Sequence, residues 1–274
     1  MSNGLNISLK SYDSIFQSEE QRNTEEIKPV PISELKPFTE QPFKVKLDED
    51  MDALVESIKQ CGVLTPVIAR PHKDGGYEIL SGHRRVKACE LAGITDIPVV
   101  VKNLDDDTAT ILLVDSNLQR EHILPSEKAF AYQMKLEAMK RQGARTDLTC
   151  DQFGHKLENK KSVEIISENS PDSRNQIQRY IRLTNLIDPI LDMVDNNQIA
   201  MNAAVEISYL GSKEQAAVMQ SIEKEETSPS IAQARKMRKF HQEGNLSNAV
   251  IDSIMMEQKP ETVKITLGED KLKK

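Results

Sequence analysis

The spacing of hydrophobic residues changes once along the chain, and the change separates two kinds of structure. Apolar runs of strand length, rich in β-branched and aliphatic residues, occupy residues 66–70, 77–80 and 97–101. A Gly-containing turn at residues 74–76 separates the first two runs and predicts a hairpin. Apolar residues at helical spacing over 47–58 predict a helix before the strands. These elements predict a compact mixed α/β unit of about 100 residues, a common domain size.

Helical spacing dominates from residue 125 onward, where strand signals are scarce. Pro125 fits the first turn of a long helix, and Gly143 is predicted to end that helix. The apolar spacing predicts further helices at residues 172–183, 190–196, 201–210, 213–223 and 230–242. The second half of the chain is therefore expected to be a helical bundle.

Composition and element order divide the chain into four predicted segments. These are a flexible polar tail at 1–26, an N-terminal domain at 27–124, a helical domain at 125–225, and a basic helix with the C-terminal segment at 226–274. Small helices are predicted around residues 153–157 and 163–166. Residues 262–267 alternate apolar and polar side chains and predict a lone strand, which would need an edge to pair with.

The junction between the strand at 77–80 and the helix that follows carries the first candidate chemistry. Gly82 permits a tight backbone turn, and His83 begins the predicted helix. Free backbone N–H groups and the helix dipole at such a start favour an anion. Arg84 and Arg85 add two cations suited to phosphate oxygens. The pattern is typical of a triphosphate cradle, and a surface helix that merely begins with basic residues is the alternative.

The helix at 172–183 carries the second candidate chemistry. Its apolar side chains can face a core, while polar and basic side chains occupy the other side, which is the shape of the second helix of a helix-turn-helix. The candidate DNA-contacting residues are Ser173, Arg174, Asn175, Gln178 and Arg179. Arginine prefers guanine edges, and asparagine and glutamine prefer adenine. The alternative is the solvated face of an ordinary helical bundle.

Composition limits the class of protein. The net charge of −7 over 274 residues argues against a chain that is basic throughout, although a local basic patch is enough for nucleic-acid binding. The three cysteines, Cys61, Cys89 and Cys150, form no CxxC pair, which argues against a zinc site or a disulfide framework and suits a reducing compartment. No apolar run approaches the roughly 20 residues of a membrane span. Residues 105–107 are three aspartates at a helix start, where a capping role is favoured over a metal site.

Three motifs occur in order along the chain and together resemble one known family. They are residues 62–70, residues 81–85 (Ser-Gly-His-Arg-Arg) and residues 117–120 (Asn-Leu-Gln-Arg), and the predicted helix-turn-helix follows them. In this order the chain resembles the ParB/Spo0J/Noc family of chromosome and plasmid partition proteins over roughly residues 27–225.

The resemblance implies an α+β protein with a ParB/sulfiredoxin-like mixed α/β domain followed by an all-helical helix-turn-helix domain. It implies that the first domain binds CTP and Mg2+, and that the second recognises a palindromic centromere-like site on double-stranded DNA. A homodimer loaded at that site would close into a sliding clamp for plasmid or chromosome segregation. The implied partner is a ParA-type ATPase. The implied location is the cytoplasm, at the nucleoid or a plasmid, with no membrane association.

The resemblance also assigns roles to residues of this chain. The metal would be contacted by Asn117. The implied nucleotide-binding residues are Thr65, Pro66, Ser81, Gly82, Arg84, Arg85, Asn117, Gln119 and Arg120. Backbone donors and guanidinium groups neutralise a triphosphate, and an amide oxygen suits hard Mg2+, so the implied roles agree with the chemistry of these residue types.

The chain departs from the family pattern at three places. Ser116 stands where the family usually has the glutamate that supports hydrolysis, with Asp115 one step earlier. Serine cannot act as a carboxylate base, so CTP binding with slow or altered hydrolysis is implied and no catalytic residue is assigned. His83 stands where the family often has glutamate, and it is predicted to be a surface residue at the helix start. The usual C-terminal dimerisation module is not evident after Lys239.

A reductase, a nuclease and a transcriptional regulator are alternative functions for a protein with this pattern. A sulfiredoxin-like reductase would need a cysteine directly before His-Arg, where this chain has Gly82. A ParB-like nuclease would need a tight carboxylate cluster for two metals, which the sequence does not offer. A sequence-specific transcriptional regulator on the same scaffold, without sliding, remains an open alternative.

Overall fold

The computed structural model describes residues 27–39, 41–120, 122–149 and 162–257, and of residues 143–149 only the backbone. The chain divides into two compact units. The first unit contains the described residues of 27–123 and 130–174, and the second contains 124–129 and 175–257. The long helix that begins at residue 125 contributes residues to both units.

A five-stranded sheet forms the centre of the first unit. Its strands are β1 (Ile27–Pro31), β2 (Leu35–Pro37), β3 (Val67–Pro71), β4 (Tyr77–Ser81) and β5 (Asp96–Val101). They lie in the spatial order β1-β5-β3-β4-β2. The pairs β1–β5 and β3–β4 are antiparallel, and the pairs β3–β5 and β2–β4 are parallel. The predicted hairpin is confirmed, because β3 and β4 pair directly across the turn at residues 74–76.

Helices cover the sheet and complete the core of the first unit. They are α1 (Glu49–Cys61), α2 (His83–Ala92), α3 (Asp106–Leu118), most of α4 (Pro125–Thr149) and α5 (Ser162–Glu168). Asp48 accepts a hydrogen bond from the Met51 amide at 3.0 Å and caps α1. Asp105 accepts one from the Thr108 amide at 2.7 Å and caps α3, as the sequence predicted. Because these caps satisfy amides that have no partner inside the helix, they fix where each helix begins.

The second unit is helical. It contains the start of α4, α6 (Arg174–Leu183) from its second residue, α7 (Asp188–Asp195), α8 (Met201–Ile207), α9 (Ser212–Glu225), α10 (Ile231–Gln242) and α11 (Asn248–Met256). Aliphatic side chains spaced three and four residues apart on these helices form one buried cluster. Ser230 and Gln233 form a capping box at the start of α10. The predicted fold class, a mixed α/β domain followed by helices, is confirmed.

Two local predictions were wrong. The helix that begins at Pro125 continues past Gly143 to Thr149. Glycine costs a helix interior only about 1 kcal/mol relative to alanine, which a long helix tolerates. Leu47 was placed on the buried stripe of the first helix, but that helix begins after its cap, Asp48, and Leu47 is 70% exposed.

Several predictions fall outside the described residues. These are the tail at 1–26, the small helix around 153–157 and the strand at 262–267. None of the described helices has both the length and the apolar character needed to cross a lipid bilayer.

Candidate functional site

The turn at Gly82 joins the end of β4 to the start of α2, with Ser81 as the last strand residue. Gly82 has a φ of 105°, in the region that favours glycine. A Cβ atom on Gly82 would lie 3.0 Å from Arg85 Nη2 and 3.1 Å from Val67 Cγ2. Both the backbone conformation and the close approach therefore require glycine. The turn directs the free amides at the start of α2 into the same region as the two arginines that follow.

Arg85 fixes the loop before β3 against the start of α2. Its Nη1 atom donates to the carbonyl oxygen of Pro66 at 2.7 Å and also to the carbonyl oxygen of Thr65. Burial lowers the pKa of the Arg85 guanidinium. The structure thus brings together Thr65, Pro66, Gly82 and Arg85, four of the residues to which the resemblance assigns the nucleotide. It also gives Arg85 backbone partners that the sequence did not reveal.

Arg84 lies at the more open side of the turn. Its Nη2 atom is 3.2 Å from Asp48 Oδ1, and a third of its side chain is exposed. Asp48 is also the residue that caps α1. A partly exposed ion pair of this kind is weak, so a polyphosphate can compete with Asp48 for the Arg84 guanidinium.

The end of α3 supplies the other predicted site residues. The Asn117 side chain is buried, and its Nδ2 atom donates to the Leu113 carbonyl at 2.8 Å within the helix. Gln119 is exposed at the C-terminal cap of α3. Arg120 follows, and its guanidinium lies 5.5 Å from the centroid of the Phe43 ring. The contact of Phe43 with Arg120 was not predicted, because a single aromatic residue in a loop carries no pattern.

His83 corrects one prediction. It was expected at the surface, but it is only 6% exposed. Nothing among the described residues makes a hydrogen bond with either of its ring nitrogens. Burial, together with the positive charge of Arg120, lowers the pKa of His83 to about 4. The signal for burial was present, since His83 precedes the buried Val86 by three helical positions and shares its face.

The effect of the Arg120 charge on the pKa of His83 shows that the end of α3 lies near the start of α2. This agrees with the packing of α3 against β4, the strand that leads into the Gly82 turn. The predicted nucleotide-binding residues therefore come from three segments that meet in one region of the first unit.

The two residues before Asn117 both bind other groups of the first unit. Ser116 Oγ donates to the Leu113 carbonyl at 3.0 Å. The Asp115 carboxylate forms an ion pair with Lys135 of α4, whose side chain is 5% exposed. Because Lys135 holds it, Asp115 is not a free base for the site.

The residues present fit Mg2+ only in part. An amide such as that of Asn117 offers an oxygen, the ligand atom that Mg2+ prefers, and the ion usually takes further ligands from substrate phosphates and water. Among the described residues, no three His, Cys, Asp or Glu side chains come together as a metal-binding group. The aspartates of the α3 start go to separate partners: Asp106 pairs with Arg70, and the buried Asp107 pairs with Arg141.

A separate groove of about 580 Å3 lies elsewhere in the first unit. Its described lining includes none of the predicted nucleotide-binding residues. Arg70 crosses the groove and binds Glu78 and Asp106, with its guanidinium 5.6 Å from the Phe38 ring centroid. The hydrogen bond from Arg70 is the main reason why the pKa of Asp106 is lowered. These charged groups neutralise one another, so the groove offers no unpaired charge from this cluster to a ligand.

The candidate DNA-contacting residues lie at and after the start of α6. Ser173, Asn175, Gln178 and Arg179 are exposed, while Ile177 of the same helix is buried. Arg174 forms an ion pair with Glu164 of α5. The exposed polar side and buried apolar side agree with the predicted amphipathic helix.

The comparisons with known proteins bear on the first unit. The family of the ParB N-terminal domain matches residues 16–118. The chain is 34% identical over 157 residues to the probable chromosome-partitioning protein ParB of Neisseria meningitidis. This alignment covers 57% of the chain and 48% of that protein. The chain is therefore similar to ParB-type partition proteins over the residues that match the ParB N-terminal domain.

Other ParB-type proteins are also similar to this chain, over different shares of its length. Spo0J, the chromosome-partitioning protein of Thermus thermophilus, is 41% identical over 108 residues, which are 39% of this chain and 40% of that protein. The chain spans about half the length of the curated relatives it matches. The solved pNOB8-like ParB N-domain shares the fold, with a TM-score of 0.50 at 15% identity over 84% of this chain and 93% of that one.

Proposed function

We propose that the chain is a DNA-binding partition protein whose ParB N-terminal domain binds CTP with Mg2+. As a homodimer, it loads at a palindromic centromere-like site and then acts as a sliding clamp in plasmid or chromosome segregation. The observation that carries the proposal is the Gly82 turn, where Arg84 and Arg85 lie in the first turn of α2 and the charge of Arg120 acts on the neighbouring His83. The match of residues 16–118 to the ParB N-terminal domain supports the same conclusion.

The nucleotide would be held by this chain's own donors and charges. The amides at the start of α2 donate to phosphate oxygens, and Arg84 moves from Asp48 to the triphosphate. Arg85 donates to the carbonyl oxygens of Thr65 and Pro66, and the charge of its guanidinium would also help to neutralise the triphosphate. Asn117 would contact Mg2+, which supplies charge neutralisation between the phosphates when it is bound.

Hydrolysis of the nucleotide is proposed to be slow. Ser116 offers no carboxylate to orient or deprotonate a water molecule. Asp115 is engaged by the buried Lys135. The bound state would therefore persist longer than in a protein with glutamate at position 116.

The second half of the proposal places α6 in the major groove of DNA. Ser173, Arg174, Asn175, Gln178 and Arg179 would make the contacts to phosphates and base edges. Two copies of the chain would match the two halves of a palindrome. A ParA-type ATPase would be the partner, at the nucleoid or a plasmid in the cytoplasm.

The proposal is tested by measuring the binding of CTP, GTP, ATP and UTP to the purified chain with Mg2+. Each measurement is made with and without DNA that carries candidate palindromic sites. We expect CTP to bind most tightly and its binding to change when the matching site is present. Equal, weak binding of all four nucleotides would contradict the nucleotide site and leave a sequence-specific regulator as the function.

A further inference from the structure

Arg182 anchors the C-terminal end of α6 to the rest of the second unit. Asn175, Gln178, Arg179 and Arg182 follow one another at spacings of three and one or four residues, so they share one side of the helix. The first three are exposed, whereas Arg182 is half-buried. Its Nη2 atom donates to the carbonyl oxygen of Ser208, directly after α8, at 2.8 Å. The last arginine on the polar side of α6 is therefore used to hold the helix in place.

The Arg182 guanidinium also stacks on an aromatic ring that a second arginine covers. Its Cζ atom lies 4.0 Å from the centroid of the Tyr209 ring, and Cζ of Arg238, from α10, lies 3.5 Å from the same centroid. Two guanidinium groups at contact distance over one ring lie on opposite faces, since on one face they would overlap. The Tyr209 ring thus lies between α6 and α10, in an arrangement that cation–π attraction favours.

Arg238 is itself held by α8, against which α10 packs. Its Nη1 atom lies 2.8 Å from Glu206 Oε2, and Arg235 Nε lies 3.3 Å from the other oxygen of the same carboxylate. Arg235 is 70% exposed at its side chain, and of the two arginines it is Arg238 that stacks on Tyr209. The stack therefore joins α6 to a pair of helices that already pack on each other.

A charged side chain at position 182 has a cost that points to a directional role. The Arg182 Nε atom is buried without a hydrogen-bond partner in the described part of the chain, and such a donor costs free energy. A planar guanidinium that stacks and donates to a carbonyl at once fixes both the distance and the angle of the helix that carries it. The backbone of α6 approaches each of the other described helices at few points, so side-chain contacts decide its direction.

We propose that the stack of Arg182, Tyr209 and Arg238 positions α6 for reading DNA and so sets the discrimination between matching and scrambled sites. The inference rests on the proposed function, because it takes α6 as the helix in the major groove. Hydrogen bonds to base edges are directional and need one helix angle, whereas phosphate contacts carry no sequence information. Recognition helices read bases with their N-terminal residues, and an anchor at the C-terminal end leaves those residues free.

The first test measures discrimination with the whole chain and the palindromic duplex that it selects from a random DNA pool. Fluorescence anisotropy gives the affinities for this duplex and for a scrambled one, and their ratio is the readout. Tyr209→Leu removes the ring, and we expect the ratio to fall about tenfold, the factor that two cation–π contacts supply, with unchanged affinity for the scrambled duplex. Tyr209→Phe keeps the ring between the two guanidinium groups, so its ratio should equal that of the original chain.

Arg238→Gln and Arg235→Gln form a matched pair on α10. Each variant removes one positive charge and one contact with Glu206, but Arg238 stacks on Tyr209 and Arg235 extends into solvent. We expect Arg238→Gln to lower the ratio about threefold, the factor of one cation–π contact, and Arg235→Gln to leave it unchanged. Equal ratios in the two variants would overturn the inference.

The salt dependence of binding separates positioning from direct contact with DNA. Arg182→Gln should lower the ratio and leave the slope of log affinity against log salt unchanged, because a positioning residue touches no phosphate. A slope smaller by about one would show that Arg182 itself contacts a phosphate, and the inference would be wrong.

Thermal unfolding checks that each variant is folded. If folded Tyr209→Leu keeps the original ratio, the stack does not position α6, and the proposed function stands without it. Should Tyr209→Leu fail to fold, the comparison of Arg238→Gln with Arg235→Gln decides the question. If the original chain selects no palindrome from the pool, the proposed function itself is wrong.

Discussion

At the scale of single residues, the site depends on side chains whose partners differ in strength. Arg84 has a partly exposed pair with Asp48, whereas Arg85 is tied to two backbone carbonyls. The sequence predicted both arginines as phosphate ligands without distinguishing them. Only the folded chain shows that one is held by a weak ion pair and the other supports the loop before β3.

Replacing Arg84 should affect nucleotide binding far more than stability. Arg84→Ala removes a charge-assisted contact worth about 1.5–3 kcal/mol, so CTP affinity should fall about 10- to 150-fold. Loss of the Asp48 pair should change the unfolding free energy by less than about 1 kcal/mol. Lys87→Ala, on the same helix, is the control. Isothermal titration calorimetry that found equal CTP affinity for Arg84→Ala and Lys87→Ala would contradict the cradle.

His83 should make stability depend on pH below neutrality. Its pKa is lowered to about 4 in the folded chain, whereas the unfolded value is 6.5. Between these values the unfolded state binds more protons, so stability falls as pH falls through this window. The loss from pH 7 to pH 5 should be about 2 kcal/mol. Urea unfolding at both pH values measures it, and in His83→Gln this part of the pH dependence should be missing.

Position 116 should control the rate of CTP turnover. Ser116→Glu adds a carboxylate beside Asn117 that can orient water, so hydrolysis should rise by about 100-fold, the lower end of the range typical of one acid–base group. Phosphate release in the presence of CTP and matching DNA measures the rate. An unchanged rate would mean that the missing glutamate does not limit turnover.

At the scale of elements, α6 is held at its start by contacts from a distant helix. Tyr132 of α4 donates its hydroxyl to Asp172 at 2.7 Å and lies 2.6 Å from Ser170 Oγ. Tyr132 is fully buried, with zero exposure. Its role in fixing the turn before α6 could not be predicted, because it depends on residues 38 and 40 positions away.

Substitutions on α6 should weaken specific DNA binding and leave CTP binding intact. Arg174→Ala and Gln178→Ala should each cost about 1–3 kcal/mol if the residue contacts a base edge. Lys213→Ala, an exposed position at the start of α9, is the control of similar surface character. Fluorescence anisotropy with matching and scrambled palindromes measures the difference. Unchanged affinity for the matching site in both variants would show that α6 is not the recognition helix.

At the scale of the whole molecule, the chain contains a mixed α/β unit and a helical unit, and the α4 and α6 helices contribute residues to both. The predicted division at residue 124 was based on where strand spacing gives way to helical spacing. In the folded chain, most of α4 belongs to the first unit instead. Periodicity shows which secondary structure a segment forms, but it does not show which core that segment joins.

Clamp formation is tested by retention on closed DNA. With CTP and Mg2+, circular DNA carrying the palindrome should retain the chain through a high-salt wash, since salt weakens phosphate contacts but does not open a closed ring of protein. Cutting the circle should release the chain. Arg84→Ala should not be retained on either form. Equal retention on circular and cut DNA would favour a sequence-specific regulator that does not slide.

The sequence by itself determined the features that arise from local chemistry. Gly82 is required by a positive φ, Asp105 caps the helix that follows it, and strand spacing predicts the hairpin. Each of these depends on residues close together in the chain, where backbone sterics and short-range hydrogen bonds act.

Only the tertiary structure decided which residues are buried and which charged groups from distant segments pair with each other. It placed His83 in the interior opposite Arg120, tied Arg85 to the loop at Thr65, and engaged Asp115 with Lys135. Burial and ion pairing depend on which segments meet in space, and residue types along the chain do not specify that. For this reason the fold was needed to show that His83 lies buried beside residues to which the resemblance assigns the nucleotide, with no hydrogen-bond partner in the described part of the chain.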